Sequence, residues 1–111
     1  MRGQRFEQSW SEFLDKEKQN LLLVKYVFSE DFVRVNEFTV IQLLEESGTI
    51  LEVVKFDCSE KETVHVHRFF SKGEKKKYLK KTKSCESLED FVKDIRENWR
   101  LYRARFEEVR P

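Results

Sequence analysis

The spacing of apolar residues first indicates a long amphipathic helix near the C-terminal end of the chain. Over residues 88–109 apolar side chains recur every three or four positions, and charged residues fill most positions between them. This period is typical of an α-helix with one buried face. Ser87 is the predicted N-cap, and Glu89 and Asp90 carry charges that suit the start of a helix. The predicted buried stripe consists of Leu88, Phe91, Val92, Ile95, Trp99, Tyr102, Phe106 and Val109.

A second, shorter helical stripe is predicted near the N-terminus, over residues 5–18. Phe6, Trp10, Phe13 and Leu14 follow one another at helical spacing, and most charged residues of the segment lie outside this stripe. The pattern therefore predicts a short amphipathic helix with one apolar face.

Between residues 20 and 80 the chain changes to short runs of β-branched and aromatic residues, which are typical of strands. Turn-forming residues separate the runs at 45–48 and 71–74, and Gly48 is expected to adopt a positive φ. Strands joined by short turns run antiparallel, because parallel pairing needs a long crossover connection. The predicted strands span residues 21–28, 33–44, 49–57, 63–70 and 75–79.

These elements predict a single α+β domain over residues 1–111. An N-terminal helix precedes an antiparallel meander sheet of four or five strands, and a long C-terminal helix follows the sheet. Because each helix has one apolar face, we expect both helices to lie on one face of the sheet.

The second face of the predicted sheet is not cleanly polar. Side chains alternate between the two faces of a strand, and apolar residues fall on both. An apolar sheet face that no helix covers suggests either that the sheet curls or that another chain buries this face, and a homodimer is one expected partner arrangement. The apolar residues assigned to this second face are Ile41, Leu43, Leu51, Val53 and Phe69.

Composition narrows the class of protein. Of the 111 residues, 39% are charged and 14% are aromatic, and the opposite charges nearly cancel to a net charge of +1. The apolar content is too high for a disordered chain, and no apolar run reaches the ~18 residues of a membrane span. The start of the chain has no hydrophobic signal core, so we expect a cytoplasmic protein with reduced Cys58 and Cys85 and no membrane partner. The excess of Lys and Glu over Gln and Asn suggests a thermophilic source.

The sequence His65-Val66-His67 is the main candidate for chemistry. Alternation places both imidazoles on one face of a strand, with Cα atoms about 6.5–7 Å apart. Two His ligands need a third for a metal site, and whether Asp57 or Cys58 faces them depends on the strand register. The sequence therefore specifies no metal site, and metal binding is one hypothesis.

Acid–base catalysis is another use of this strand, since histidine titrates near neutrality. His65, His67 and Arg68 are the candidate catalytic residues for RNA cleavage. The structural alternative is a pair of ordinary sheet residues packed beside Phe69. No nucleotide-binding loop, nucleophile elbow or His-Glu-x-x-His helix occurs in the chain, and no cofactor is expected.

The second candidate feature is a run of basic residues that includes one tyrosine. Such a run can bind phosphates while the aromatic ring stacks on a base, which makes RNA an expected partner. The structural alternative is that the lysines keep an exposed edge strand from pairing with another molecule. The candidate nucleic-acid-binding residues are Lys75, Lys76, Lys77, Tyr78, Lys80 and Lys81.

Several of these segments together resemble a family of small, uncharacterised prokaryotic α+β domains. The resemblance covers residues 35–107. It rests on Val-Val-Lys-Phe-Asp at 53–57, the His-x-His strand at 65–67, Gly73, and a closing helix with Asn98-Trp99 and Tyr102-Arg103. The chain also resembles, less specifically, the TumE type of toxin from toxin–antitoxin pairs. The family pattern often has a further His before the His pair, and residues 58–63 contain none.

The leading functional hypothesis is therefore a small RNA-associated, toxin-like domain that uses the His-x-His strand together with the basic run. The resemblance to the toxin type implies a cognate protein partner. The alternative hypothesis is a non-enzymatic interaction module that self-associates through the second face of its sheet.

Overall fold

The computed structural model describes residues 6–28 and 35–110. Six strands form one antiparallel meander sheet in chain order, and one helix follows them. This confirms the α+β class and the antiparallel meander, while the predicted count of four or five strands is wrong. The first two residues of the second predicted strand, 33 and 34, lie outside the described residues. The elements are β1 (Phe6–Phe13), β2 (Asn20–Phe28), β3 (Val35–Glu46), β4 (Thr49–Cys58), β5 (His65–Arg68), β6 (Lys76–Tyr78) and α1 (Cys85–Val109).

The predicted N-terminal helix is wrong, because its described residues begin with strand β1 paired to β2 along its whole length. Phe6 and Trp10 are four positions apart, and an even separation places both on one face of a strand as well as on one side of a helix. Phe13 does not fit the alternation, and its side chain is 53% exposed. Phe13 thus favoured the helical period in the sequence, and the pairing of β1 with β2 shows that the segment is a strand.

The C-terminal helix is confirmed, and it begins earlier than expected. Ser84, not Ser87, is the N-cap, and the Ser84 hydroxyl accepts a hydrogen bond from the Ser87 backbone N–H at 3.2 Å. Since α1 is the only helix within residues 6–28 and 35–110, the expectation of two helices on one sheet face is also wrong. No described helix is long and apolar enough to cross a membrane.

The helix packs on one face of the sheet through large apolar side chains. The Phe91 ring stacks on Phe56 with centroids 4.3 Å apart, and it lies 5.8 Å from the Phe38 ring. Gln42 is buried beneath the helix and donates its side-chain N–H to the Trp99 carbonyl at 3.0 Å. The core is thus the layer between α1 and the sheet. The opposite side, called the open face below, carries the residues that alternate with this core layer.

A β-bulge changes the expected composition of the open face. Gln42 pairs with Val54 while Leu43 pairs with Glu52, so Val53 is an extra residue in β4. Val53 and Val54 are both fully buried in the core cluster that contains the helix residues. Val53 therefore belongs to the core, and the assignment of this residue to the second face is wrong.

The other apolar residues assigned to the second face also expose little surface to solvent. Leu51 and Phe69 pack against the core cluster, and Ile41 and Leu43 are buried. Self-association through this face stays a prediction, and these four residues give it little exposed apolar surface.

The β3–β4 turn is as expected, since Gly48 has a φ of 82°.

Candidate functional site

Strand register brings polar side chains of four strands together on the open face. Residues paired across neighbouring strands share a face, so the pairings define two adjacent rows. The rows meet at the β4–β5–β6 end of the sheet, where the sequence-predicted histidines lie. The first row is Thr39, Asp57, His65 and Tyr78, and the second is Ile41, Lys55, His67 and Lys76.

His65 is held in a defined orientation within the first row. Its side chain is 2% exposed, and Nδ1 lies 2.8 Å from the backbone oxygen of Thr63. Because a carbonyl oxygen only accepts hydrogen bonds, Nδ1 carries a hydrogen and donates a hydrogen bond to the Thr63 carbonyl. The remaining nitrogen, Nε2, lies 3.7 Å from Oδ2 of Asp57. The Thr39 hydroxyl donates to the other oxygen of Asp57, Oδ1, at 2.8 Å.

His67 lies beside His65 and is more accessible. The two imidazoles meet edge to face with centroids 4.8 Å apart, and the His67 ring stacks on the Phe69 ring with centroids 6.0 Å apart. Burial lowers the pKa of His67, and the positive charges of Lys55 and Lys76 lower it further. The imidazole of His67 is therefore neutral near pH 7.

Glu62 organises the edge strand next to the histidines. One of its carboxylate oxygens, Oε2, accepts hydrogen bonds from the Lys76 ammonium at 2.5 Å and from the Tyr78 hydroxyl at 2.7 Å. These two bonds lower the pKa of Glu62 to about 2. The Lys76 ammonium also lies 5.1 Å from the centre of the Tyr78 ring. Lys76 and Tyr78 are thus positioned beside His67 and His65.

The lowered pKa of Glu62 predicts a pH-dependent contribution to stability. A carboxyl whose folded pKa is depressed stabilises the fold above its usual pKa of 4.5, and this contribution is lost as pH falls toward 2. We expect wild-type protein to melt higher than Glu62→Gln at about pH 5, with the difference disappearing near pH 2. Thermal unfolding by circular dichroism across this range measures it. A difference in melting temperature that does not change with pH would contradict the assignment.

The structure separates the other predicted site residues from this cluster. Arg68 follows His67 on β5 and points to the opposite side of the sheet, as the alternation predicts. It lines a cleft of about 620 Å³ with Lys72, Tyr102 and Arg105. The three predicted catalytic residues are therefore divided between the two sides of the sheet.

The basic run is also divided. Lys76 and Tyr78 lie with the histidines, while Lys77 pairs with Val66 and lies in the core-side row at the edge. Lys81 lies 3.6 Å from the carboxylate of Asp90 on α1. Lys75 and Lys80 are exposed. Because β6 is a short edge strand, its lysines also fit the structural alternative of edge protection.

The comparisons with known proteins identify the family. The model of a domain of unknown function, DUF7718, matches residues 4–110. The chain belongs to this family. No curated protein and no solved structure matches the chain. Membership agrees with the predicted small, uncharacterised domain family. The toxin resemblance, cytoplasmic location and thermophilic source of this DUF7718 domain stay predictions.

Two residues of the DUF7718 site were not found from the sequence. Thr39 donates a hydrogen bond to Asp57. Glu62 accepts hydrogen bonds from Lys76 and Tyr78. Thr39 is 18 positions from its partner, so only the register of β3 with β4 reveals the contact. Glu62 lies in the loop before β5, where alternation carries no information.

A cavity adjoins the cluster on the open face of the DUF7718 domain. Its volume is about 600 Å³, and its lining includes Lys25, Thr39 and Asp57. The first row of the site therefore borders a concave surface, which is the usual setting for a bound ligand.

Proposed function

We propose that the open face binds RNA and cleaves its phosphodiester bonds, with His67 as the catalytic residue. The observation that carries this proposal is the register of β5 with β6. It places Lys76 opposite His67 and Tyr78 opposite His65, so part of the basic run joins the His pair. An imidazole, cationic side chains and an exposed aromatic ring then share one face, which is a combination suited to RNA.

Positive charge near His67 supports a phosphate-binding role. Lys55 pairs with His67 from the β4 side and Lys76 pairs with it from the β6 side. Both ammonium groups are close enough to influence the His67 imidazole electrostatically. A phosphodiester placed over His67 would therefore lie beside the Lys55 ammonium, which favours its negative charge, and beside the Lys76 ammonium, which is paired with Glu62.

The chemistry requires no reagent besides the RNA. The 2′-hydroxyl oxygen attacks the neighbouring phosphorus, the bond from phosphorus to the 5′-oxygen breaks, and a cyclic phosphate and a 5′-hydroxyl form. His67 accepts the proton of the 2′-hydroxyl and returns it to the departing 5′-oxygen. Lys55 stabilises the charge on the non-bridging phosphate oxygens.

His65 acts in this scheme as a positioning residue. Its side chain is buried, so it does not reach the RNA. Its contact with the His67 ring and its hydrogen bond to Thr63 hold the neighbouring imidazole in place. The Asp57 carboxylate lies on the Nε2 side of the buried ring, 3.7 Å away.

A toxin-like role follows from an RNA-cleaving activity inside the cell. The resemblance to TumE-type toxins supports this part of the proposal. Such an activity needs restraint by a cognate protein, and the accessible part of the open face is where we expect this partner to bind.

Matched RNA and DNA oligonucleotides test the proposed function. At low salt, we expect the protein to bind both and to cleave only RNA, because DNA lacks the 2′-hydroxyl nucleophile. Gel analysis of labelled strands should show products ending in a cyclic phosphate. Expression should also slow growth, and His67→Ala should remove the effect. Absence of RNA binding and cleavage, with normal growth, would overturn the proposal.

A further inference from the structure

We propose that Asp57, His65 and His67 form a binding site for one divalent transition-metal ion of the zinc class. The three side chains come from the paired strands β4 and β5 and lie on the open face. One ligand atom from each residue can be chosen so that all three lie within 4.8 Å of one another. Two imidazoles and a carboxylate are a donor set that suits zinc and similar metals better than magnesium or calcium.

The distance between Asp57 and His65 supports a shared ion more than a direct contact. Oδ2 of Asp57 and Nε2 of His65 are 3.7 Å apart, which is too long for a hydrogen bond. Two ligands at the usual ~2.1 Å from a tetrahedral zinc ion are about 3.4 Å apart. A metal ion between these two atoms would therefore require only a small movement of either side chain.

A second observation supports the metal site: in both His65 and Asp57, the polar side-chain atom that would not bind the metal is hydrogen-bonded to the protein. Nδ1 of His65 donates to the Thr63 carbonyl, which directs Nε2 toward Asp57. Oδ1 of Asp57 accepts from the Thr39 hydroxyl, which leaves Oδ2 toward His65. Metal-binding histidines and carboxylates are normally oriented by such outer hydrogen bonds. The strands thus supply both the ligands and the groups that orient them.

The proposed site is open. Three protein ligands leave at least one position of a four-coordinate ion for water or an anion, and both Asp57 and His67 are partly exposed. The charges of Lys55 and Lys76 act on His67 and repel a dication. We therefore expect moderate affinity, and removal of the Lys55 charge should strengthen metal binding several-fold.

Metal binding has one consequence that rests on the proposed RNA cleavage. The lone pair of His67 cannot coordinate a metal and accept a proton at once, so bound metal should suppress cleavage that depends on His67. Metal binding itself is measured without RNA. A failure of the metal proposal and a failure of the RNA proposal are therefore distinguishable.

Calorimetric titration of the chelator-treated full chain with zinc tests the proposal. To exclude binding by the exposed thiol, the measurements use a Cys85→Ser background. We expect one ion per chain, a rise of several degrees in melting temperature, and loss of both effects in Asp57→Asn and His67→Gln. Lys55→Gln should bind more tightly, which a merely unfolded variant cannot do. Cobalt should give a visible spectrum of nitrogen and oxygen ligation without a thiolate band.

His65→Gln is a further variant, but the burial of His65 makes unfolding a risk. Its circular dichroism spectrum is therefore compared with that of the parent, and the two more accessible variants decide the result. Unchanged zinc affinity in both Asp57→Asn and His67→Gln would overturn the proposal. So would a failure of the Cys85→Ser protein to bind zinc or cobalt at millimolar concentrations.

Discussion

Replacing Phe91 with alanine is expected to lower the free energy of unfolding by about 3–5 kcal/mol. The Phe91 side chain is 5% exposed and lies between α1 and the sheet. It stacks on Phe56 and also packs against Phe38, so truncation removes contacts with two strands. Urea denaturation followed by circular dichroism measures the change.

Leu101→Ala is the matched control for this prediction. Leu101 lies on the same helix, and its side chain is 47% exposed. Because its truncation leaves no buried cavity, the expected change is within about 0.5–1 kcal/mol. Equal destabilisation by Phe91→Ala and Leu101→Ala would show that α1 does not depend on the stacked aromatic contact.

His67→Ala is expected to lower the rate of RNA cleavage by about 10²–10⁴-fold, which is the usual contribution of a general acid–base group. His67 is the accessible imidazole of the pair and lies between Lys55 and Lys76. RNA affinity should change little, because the cations remain. Single-turnover cleavage of a labelled oligonucleotide separates the rate from the affinity.

Arg68→Ala is the control on the same strand. Arg68 is exposed on the opposite side of the sheet and lines a different cleft. Its removal should leave the single-turnover rate within a few-fold of wild type. If Arg68→Ala reduced the rate as strongly as His67→Ala, the reacting phosphate would not lie on the open face.

The sequence predicted the elements whose periods are unambiguous. The stripe that includes Phe91, Trp99 and Phe106 repeats over many turns, and no strand period fits it; the helix is confirmed. The N-terminal stripe is short, and the spacing of Phe6 and Trp10 fits both periods. The wrong prediction of a helix rests on Phe13, which fits only the helical spacing and is exposed in the strand.

For the site, alternation correctly placed His65 and His67 on one face and Arg68 on the other. It did not determine which residues of β4 and β6 would face them. Asp57 and Lys76 become neighbours of the histidines only through the register of two further strand pairs. A shift of one residue in either pair would have turned a different set of side chains toward the site.

The bulge at Val53 is also a feature that local alternation could not predict. Nothing in the alternating pattern of 49–57 marks an extra residue, yet one shift moves Val53 into the core. It also removes an apolar side chain from the expected open face. The expectation of an uncovered apolar surface depended on a regular strand, and the bulge changes that surface.

The sequence by itself determined the α+β class, the long helix, most strands and the shared face of the two histidines. These features depend on the spacing of residues close together in the chain. The tertiary structure decided that the N-terminal segment is an edge strand and that Asp57, Lys55, Lys76 and Tyr78 surround the histidines. These features depend on pairing between separate segments, for which local spacing carries no information.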